Sequence, residues 1–396
     1  SNPHLTQINA SNFGDLEVTW IWRGDNAGPQ PAYTSRAIPI YVDGMLYTVS
    51  GSRRQVVAID PATGETIWMF REPNTTRFMR SPRAAHGKGV AYGEIDGRGV
   101  IYITTPAFFL WALDAKTGLP LENWGSPVPL DDFAQTGVVD LIPDLIGDWG
   151  PWQDYVAAGG TYDPDYGIPR ELGMVTSSSP PIVVNDVIVA QTAHEPAYSQ
   201  RRIENVPGDL SGYDARTGER KWIFHTIPGA DEFGVDTWLN DSWRYTGNTG
   251  VWGQMTVDAE LGIAYFATEM PTNDYYGGHR HGDNLFSDSI VAVDLETGDQ
   301  PFTLADGTAL IANGEIYNYV ELRAEMKNAA FQTRSDCEAP LHLYARDGDG
   351  FADALRGMYA IAIHDPGTGR LVLARDPFGI KPLYYAETGA GFVFAS

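Results

Sequence analysis

Four copies of one short phrase constrain the fold of this chain more than any other feature. Each copy runs from an apolar stretch into an Asp, continues through Thr-Gly and, in two copies, ends in Trp. An Asp that caps a tight turn, followed by a Gly with positive φ, predicts a β-hairpin at each copy. The copies are AIDPATGETIW (58–68), ALDAKTGLPL (112–121), GYDARTGERKW (212–222) and AVDLETG (292–298).

Further hairpins are predicted before the first copy and between the second and third copies. Asp43-Gly44 divides the apolar segment 39–49, and Asn185-Asp186 divides the segment 180–190. The Asp residues of successive phrases are 54, 100 and 80 residues apart, which suits a unit of roughly 40 to 50 residues with long inserted loops. Radial repetition of four-stranded sheets predicts a β-propeller. A β-sandwich with turns that are alike by chance is the alternative.

The pattern changes near Gln300 and Pro301. All eleven tryptophans lie upstream of this junction, the last being Trp252. Downstream, a helix is predicted after Asn313-Gly314, and strands are predicted at 357–365 and 369–376. The sequence therefore predicts two domains, residues 1–300 and 301–396, the second of mixed α+β type.

Composition narrows the classes of partner. The net charge of −24, from 51 acidic and 27 basic residues, argues against nucleic acid and anionic membrane surfaces, because both would repel the chain. No apolar run is long enough to span a bilayer, and residues 1–13 lack the charged and apolar regions of a signal peptide. The single cysteine, Cys337, excludes an internal disulfide.

Residues 13–299 resemble the quinoprotein dehydrogenases, which bind pyrroloquinoline quinone (PQQ) on the axis of an eight-bladed propeller. The repeated phrase resembles the tryptophan-docking motif of that family. Other matching segments occur in family order: SPR to GVAY (81–92), SSSPPIVV (177–184), WG followed by DAELGIAYF (252–266), and GDNLF (282–286). The resemblance implies a partial propeller of the eight-bladed type in a mainly β chain.

The resemblance also assigns residues to a cofactor site. Trp252 matches the indole that stacks beneath the quinone ring, and a flat aromatic side chain suits a flat cofactor. Thr192 and Ser177 match hydroxyls that bond the cofactor's carboxylates, and Lys88 stands where relatives often carry Arg. Glu195 matches a carboxylate that binds the family's Ca²⁺. A satisfied turn hydroxyl or a core tryptophan is the plain alternative at these positions.

Two departures from the family predict a loss of activity. Met270 occupies the position of the Asn that is the second protein ligand of Ca²⁺, and a thioether is a poor ligand for that ion. The family's catalytic Asp belongs to the blade after AVDLETG, which the junction at Gln300 replaces.

Residues 301–396 resemble the class II glutamine amidotransferase domain of asparagine synthases, an α+β N-terminal-nucleophile fold. The match includes LIANGEIYNYVELR, TRSDCE, LRGMYAIAIHD and LARDPFGIKPLYYA. The resemblance implies that the Asn313 side chain and the Gly314 N–H form an oxyanion hole. It also implies that Glu315 and Asp336 hold the amino group of glutamine.

The nucleophile of that family is a cysteine at the mature N-terminus, whose own amine acts as the base. The match begins after the position of this cysteine, and Cys337 has a peptide-bonded nitrogen. The domain is therefore predicted to be incomplete.

The sequence as a whole predicts a chimera. Its first part is predicted to be a PQQ- and Ca²⁺-dependent oxidoreductase acting on a small alcohol or sugar, and its second part a partial glutaminase domain, with the reactive group missing from each. A glutamine-hydrolysing component and a non-catalytic binding scaffold are the alternatives. The first resemblance implies the periplasm and the second the cytoplasm, so localisation stays open.

Overall fold

The computed structural model describes residues 7–27, 36–131, 133, 136–194, 202–259, 262–273, 275–298, 302–331, 335–388 and 391–395. Glu195 and the junction at Gln300 and Pro301 lie outside these described residues.

Two four-stranded antiparallel sheets, blades 1 and 2, form the first part of the chain. Within each blade the strands pair in sequence order, as expected for consecutive hairpins. Blade 1 comprises β1 (Ile40–Val42), β2 (Met45–Ser50), β3 (Gln55–Ile59) and β4 (Thr66–Phe70). After α1 (Thr76–Arg80), blade 2 comprises β5 (Ala91–Ile95), β6 (Arg98–Thr104), β7 (Phe109–Asp114) and β8 (Val138–Asp140).

Blades 3 and 4 follow a helical insertion, which contains α2 (Ile142–Ile146), α3 (Gly150–Ala157) and strand β9 (Val175–Thr176). Blade 3 comprises β10 (Ile182–Val184), β11 (Val187–Ala190), β13 (Leu210–Asp214) and β14 (Arg220–Phe224), and β12 (Ala193–His194) pairs separately with β9. Among the described residues, blade 4 has three strands, β15 (Thr256–Asp258), β16 (Ile263–Ala267) and β17 (Ile290–Asp294). In the part of the chain that the structure describes, no helix is long and apolar enough to cross a bilayer.

The two hairpins predicted outside the phrases are confirmed. Asp43 and Gly44 join β1 to β2 with φ angles of 49° and 77°. Asn185 and Asp186 join β10 to β11 with φ angles of 51° and 61°. Positive φ at both central residues is the hairpin geometry that matches the twist of the flanking strands.

The four phrases fold into the same capped turn. In the first, the Asp60 carboxylate accepts hydrogen bonds from the N–H groups of Ala62 and Thr63, and the Gly64 N–H donates to the Asp60 carbonyl at 2.8 Å. The Asp residues of the other phrases make the same side-chain bonds, and the Gly residues all have φ between 71° and 78°. Those Gly residues are Gly64, Gly118, Gly218 and Gly298.

A tryptophan from the preceding part of the chain docks on each of these turns. Its indole N–H donates to the carbonyl of the residue after the turn Asp, at 2.8–2.9 Å, and its ring covers the turn Gly. A Cβ atom on Gly118 would lie 2.4 Å from the Trp68 ring, so glycine is required there. The four pairs are Trp20 with Pro61, Trp68 with Ala115, Trp124 with Ala215, and Trp222 with Leu295.

The apolar cores lie between successive blades. One cluster joins blades 1 and 2 through Trp68 and Trp111, a second joins blades 2 and 3 through Trp124, and a third joins blades 3 and 4 through Trp222. Because alternate residues of a strand face opposite sides of its sheet, blades 2 and 3 each contribute to a core on both sides, whereas blades 1 and 4 each contribute to one.

The C-terminal residues form a module with its own core. Strands β18 (Phe302–Thr303), β19 (Ala309–Ile316), β20 (Gly357–Asp365) and β21 (Arg370–Arg375) form one antiparallel sheet, which α4 (Tyr319–Glu325) and α5 (Ala339–Asp347) accompany. The hairpin β22 (Tyr384–Thr388) and β23 (Gly391–Ala395) is separate. The core includes Leu310, Leu322, Leu343, Phe351 and Ile361, and all of its members come from residues 302–374.

The helix of this module begins later than the sequence predicted. Asn313 and Gly314 lie inside β19, opposite Ala360 and Tyr359 of β20, and α4 begins only at Tyr319. A Cβ atom on Gly314 would lie 2.3 Å from the Met358 carbonyl oxygen. The glycine therefore permits close strand pairing, which overrides the turn preference of Asn-Gly. The strands predicted at 357–365 and 369–376 are confirmed as β20 and β21.

A charged cluster follows the last strand of blade 3. The His225 imidazole lies 2.8 Å from the Glu232 carboxylate and 3.9 Å from that of the buried Asp209. Burial alone would lower the pKa of His225, but the two carboxylates outweigh it and raise that pKa to about 9. The imidazole is therefore held in its charged form.

We expect Trp222→Phe to lower the free energy of unfolding by roughly 1–3 kcal/mol, because it removes the indole N–H and leaves the Leu295 carbonyl without that donor. Trp243→Phe is the matched control, since Trp243 is only half-buried. Urea unfolding followed by circular dichroism measures both. An equal loss in the two variants would contradict a specific contribution from docking.

The His225 cluster predicts a pH dependence of stability. Because the folded pKa of about 9 exceeds the ordinary 6.5, its stabilisation is complete below pH 6.5 and is lost as pH rises through 9. His225→Gln should reduce the stability lost over this interval by roughly 1–3 kcal/mol, measured by urea unfolding at several pH values. The same substitution at the exposed His281 should leave the slope unchanged. An unaltered slope in His225→Gln would disprove the assignment.

Candidate functional site

Trp252 lies just before blade 4, beneath a cation. The Lys88 Nζ atom is 4.5 Å from the centroid of the indole ring, and the guanidinium carbon of Arg83 is 6.0 Å away. The Ser179 hydroxyl accepts a hydrogen bond from Lys88 Nζ at 3.1 Å and donates to the Trp252 carbonyl at 2.6 Å. The structure thus brings together Trp252 and Lys88, two of the residues singled out in the sequence, and adds Ser179.

Ser177 is fully buried and bonds to the protein itself. Its hydroxyl donates to the Thr104 carbonyl at 3.0 Å and accepts from a guanidinium nitrogen of Arg54 at 3.2 Å. The other terminal nitrogen of Arg54 donates to the carbonyls of Ser177 and Arg83, both at 2.6 Å. Arg54, which the sequence reasoning missed, thereby ties the loop of blade 1 to the segments that carry Arg83 and Ser177.

Positive charge is concentrated around Trp252. Burial, together with repulsion from Arg36 and Arg83, lowers the pKa of Lys88 to about 8, although Glu269 opposes the shift. Burial also lowers the pKa of Arg54 to about 10. Crowding of like charges in a partly dry site is unfavourable unless an anion compensates it.

These residues occupy equivalent positions in the repeat. Each of them lies three or four residues before the first strand of a blade: Arg36 before β1, Lys88 before β5, Ser179 before β10 and Trp252 before β15. Alignment of the four repeats could therefore have found Arg36 and Ser179.

Buried polar atoms without a partner lie close to this cluster. Among the described residues, no hydrogen-bond partner is present for the hydroxyls of Thr192 and Ser178 or for Gln191 Oε1. All three side chains are at most 2% exposed. The Gln191 amide nitrogen is 3.4 Å from the Gly253 carbonyl, next to Trp252. Leaving such a buried polar group without a hydrogen bond costs about 1–3 kcal/mol of stability, so the space around these side chains is suited to a polar ligand or water.

The predicted metal site is only partly described. Glu195 lies outside the described residues. The backbone carbonyl of Met270 accepts from the Asn248 amide at 2.7 Å, and its side chain is 40% exposed. Among the residues that the structure describes, no three His, Cys, Asp or Glu side chains gather as they would around a metal ion.

In the C-terminal module, three of the predicted residues meet around Cys337. The Asp336 carboxylate accepts from the Ile316 N–H at 2.5 Å, which ties the start of a short 3₁₀ turn to β19. The Cys337 thiol is 3.5 Å from the Gly314 carbonyl, and Glu315 acts electrostatically on the same thiol. Burial raises the pKa of Asp336. The side chain of Asn313 lies outside the described part of the structure.

The Cys337 thiol has low nucleophilic reactivity in this position. Cys337 is 2% exposed, and burial together with Asp336 raises the pKa of its thiol well above the usual range. The thiolate, which is the nucleophilic form, is therefore scarce at neutral pH.

Comparison with known families agrees with both parts of the chain. Residues 3–302 match the model of the PQQ glucose/ethanol/alcohol dehydrogenase β-propeller domain, and residues 287–396 match the glutamine amidotransferase domain. The quinohemoprotein alcohol dehydrogenase ADH IIB of Pseudomonas putida is 28% identical over 74% of this chain and 36% of its own length. Asparagine synthetase 2 of Bacillus subtilis is 50% identical over 26% of this chain and 14% of its own length.

Solved structures show the same fold. The quinohemoprotein alcohol dehydrogenase of Comamonas testosteroni superimposes with a TM-score of 0.52 at 20% identity, covering 93% of this chain and 46% of that one. A europium-containing methanol dehydrogenase gives a TM-score of 0.51 at 18% identity, covering 94% and 55%.

The prediction of a mainly β, quinoprotein-type propeller is confirmed. The N-terminal-nucleophile fold of the C-terminal module and the domain boundary at residue 300 stay predictions. The chain spans only 36% and 14% of the two relatives above. It is a chimeric arrangement that belongs to the PQQ glucose/ethanol/alcohol dehydrogenase β-propeller family and carries a glutamine amidotransferase match at its C-terminal end.

Proposed function

We propose that the propeller part of this chain binds PQQ over Trp252. The observation that carries the proposal is the position of Lys88 and Arg83 over the Trp252 ring, with Arg36 acting electrostatically on Lys88, in a chain whose net charge is −24. PQQ is a flat quinone with three carboxylates. A planar anion would stack on the ring and neutralise the crowded cations.

The remaining contacts follow from the buried groups of the site. Lys88 and Arg83 would pair with carboxylates, and the partnerless hydroxyls of Thr192 and Ser178 could each donate a hydrogen bond. Ser177 has a different role in this proposal, because its hydroxyl is already engaged by Thr104 and Arg54. Its contribution is to hold Arg54 and the loop that positions Arg83.

When bound, PQQ would supply a two-electron acceptor for oxidation of an alcohol or sugar. The described residues do not complete a Ca²⁺ site, because the position predicted for the second ligand holds the Met270 thioether. The family resemblance implies that the catalytic base belongs to the blade after AVDLETG, and the strands that follow β17 in this chain are those of the C-terminal module. We therefore infer that the chain binds the cofactor without turning over an alcohol.

PQQ should raise the melting temperature of the full chain, because a ligand that binds only the folded state adds about 2.7 kcal/mol at a hundredfold excess over Kd. Lys88→Gln should abolish most of this rise. Lys116→Gln, at an exposed turn lysine of blade 2, is the matched control and should retain it. Differential scanning fluorimetry with and without PQQ measures the three shifts. Equal shifts in both variants would refute the assignment of Lys88, and no shift in the unmodified chain would refute binding.

The C-terminal module supports a second proposal, recognition of glutamine without hydrolysis. Glu315 and Asp336 lie near one another beside Gly314, as the family resemblance implies for capture of an amino group. Cys337 cannot serve as the nucleophile, because it is buried and mostly protonated and lacks the amine base of the family.

The chain should therefore release no ammonia from glutamine above the uncatalysed background. A coupled glutamate dehydrogenase assay with millimolar glutamine measures the release, and an intact asparagine synthetase is the positive control. Ammonia production that disappears in Cys337→Ser would contradict the proposal.

A further inference from the structure

The segment before blade 1 has the pattern of a blade's edge strand. Residues 17–22 read Glu-x-x-Trp-apolar-aromatic, with Trp20, Ile21 and Trp22 in the last three positions. The same pattern occurs at 65–70, which contains β4, and at 219–224, which contains β14. Both of those strands are the last in the order of their sheet.

This segment also docks as such a strand does. The Trp20 N–H donates to the Pro61 carbonyl at 2.9 Å and its ring covers Gly64, as Trp68 does on blade 2 and Trp222 on blade 4. The Trp22 N–H donates to the Thr66 hydroxyl at 2.9 Å. Yet in the described structure no strand pairs with residues 17–22, and Val18 and Ile21 are 80% and 77% exposed. The chain therefore has an edge strand without its sheet.

Blade 4 has the complementary deficit. It consists of β15, β16 and β17, and within the described residues β17 pairs only with β16. Its phrase ends at Gly298 without the tryptophan-bearing strand that follows in blades 1 and 3. Ile290, on the face directed away from blade 3, is 85% exposed. Tyr265 shares that face and lies within electrostatic range of Asp336, so the C-terminal module borders the face but leaves Ile290 uncovered.

We propose that a second copy of this chain supplies the missing strand. Residues 17–22 of the first copy add to the β17 edge of the second copy. Residues 17–22 of the second copy add in the same way to the β17 edge of the first. Unpaired edges of this kind readily accept a strand from another chain. The contact is head-to-tail, and since each copy contributes four blades, two copies close a ring of eight.

The two faces that would meet are both incompletely buried. On blade 1, Tyr41, Ile67 and Met69 project away from the core shared with blade 2 and are 37–66% exposed. They would face Ile290 and its neighbours on blade 4 of the other copy. Burial of these two surfaces against each other would form an apolar core between the copies, like the cores that already lie between successive blades. This inference does not depend on the cofactor proposed above.

Two single-cysteine additions to the full chain test the arrangement. Cys337 is 2% exposed and contributes little background reaction. Ile21→Cys and Ile290→Cys, prepared as separate proteins, are mixed, re-equilibrated and treated with a short bismaleimide, because the register of β3 with β4 places Ile21 beside the residue opposite Ile290. We expect a covalent dimer in the mixture and none in either variant alone, because a head-to-tail contact joins unlike positions. Sedimentation equilibrium of the unmodified chain should give twice the chain mass of 43.4 kDa.

Other results would overturn the proposal. A monomer mass at every concentration excludes the dimer, and larger polymers exclude a closed ring of two. Cross-linking of Ile21→Cys to itself indicates a symmetric contact, and an intramolecular cross-link in the doubly substituted monomer indicates closure within one chain. Ile290→Asp should weaken the dimer at least tenfold while circular dichroism stays native. Val156→Asp, at an exposed position of α3, should leave the dimer unchanged.

Discussion

The hydrogen bond from an indole N–H to a carbonyl of the next blade is the contact on which the propeller part depends. In all four instances the acceptor follows the turn Asp, and the indole lies over the turn Gly. This one contact therefore requires three recurring features: the capping Asp, the Gly with positive φ and the docking Trp. The phrase recurs because the contact recurs, whereas the loops between the contacts are free to vary in length.

This docking also explains where the candidate cofactor site forms. Once successive blades are stacked in the same orientation, equivalent positions of each repeat lie at the same end of the stack. Arg36, Lys88, Ser179 and Trp252 all occupy the approach to the first strand of a blade. Residues that are distant in sequence thus become neighbours without any local motif. The same geometry concentrates cations there, since blade 1 contributes Arg36 from its approach and Arg54 from the loop between β2 and β3, and blade 2 contributes Lys88 from its approach.

Local chemistry made part of the fold predictable, and long-range pairing limited the rest. The turns at Asp43-Gly44 and Asn185-Asp186 were predictable because positive φ at two adjacent residues selects a hairpin. Asn313-Gly314 carries a similar signal but lies within β19, because pairing with β20 requires a residue without a side chain opposite Tyr359. Arg54 was missed because its partners, including Ser177, lie far away in sequence. Trp252 and Lys88 were found through family resemblance and are neighbours in the structure.

The junction near residue 300 affects binding and catalysis differently. The proposed recognition of PQQ would be distributed over many groups, such as Trp252, Lys88 and Thr192 on three separate segments, so a partial domain could retain it. Catalysis requires one group at one position, and the family resemblances place that group beside the junction in both halves. Cys337 illustrates the difference, because it lies beside Glu315 and Asp336 but its buried thiol is not activated. A chain joined in this way is therefore expected to keep affinity for its ligands longer than it keeps their chemistry.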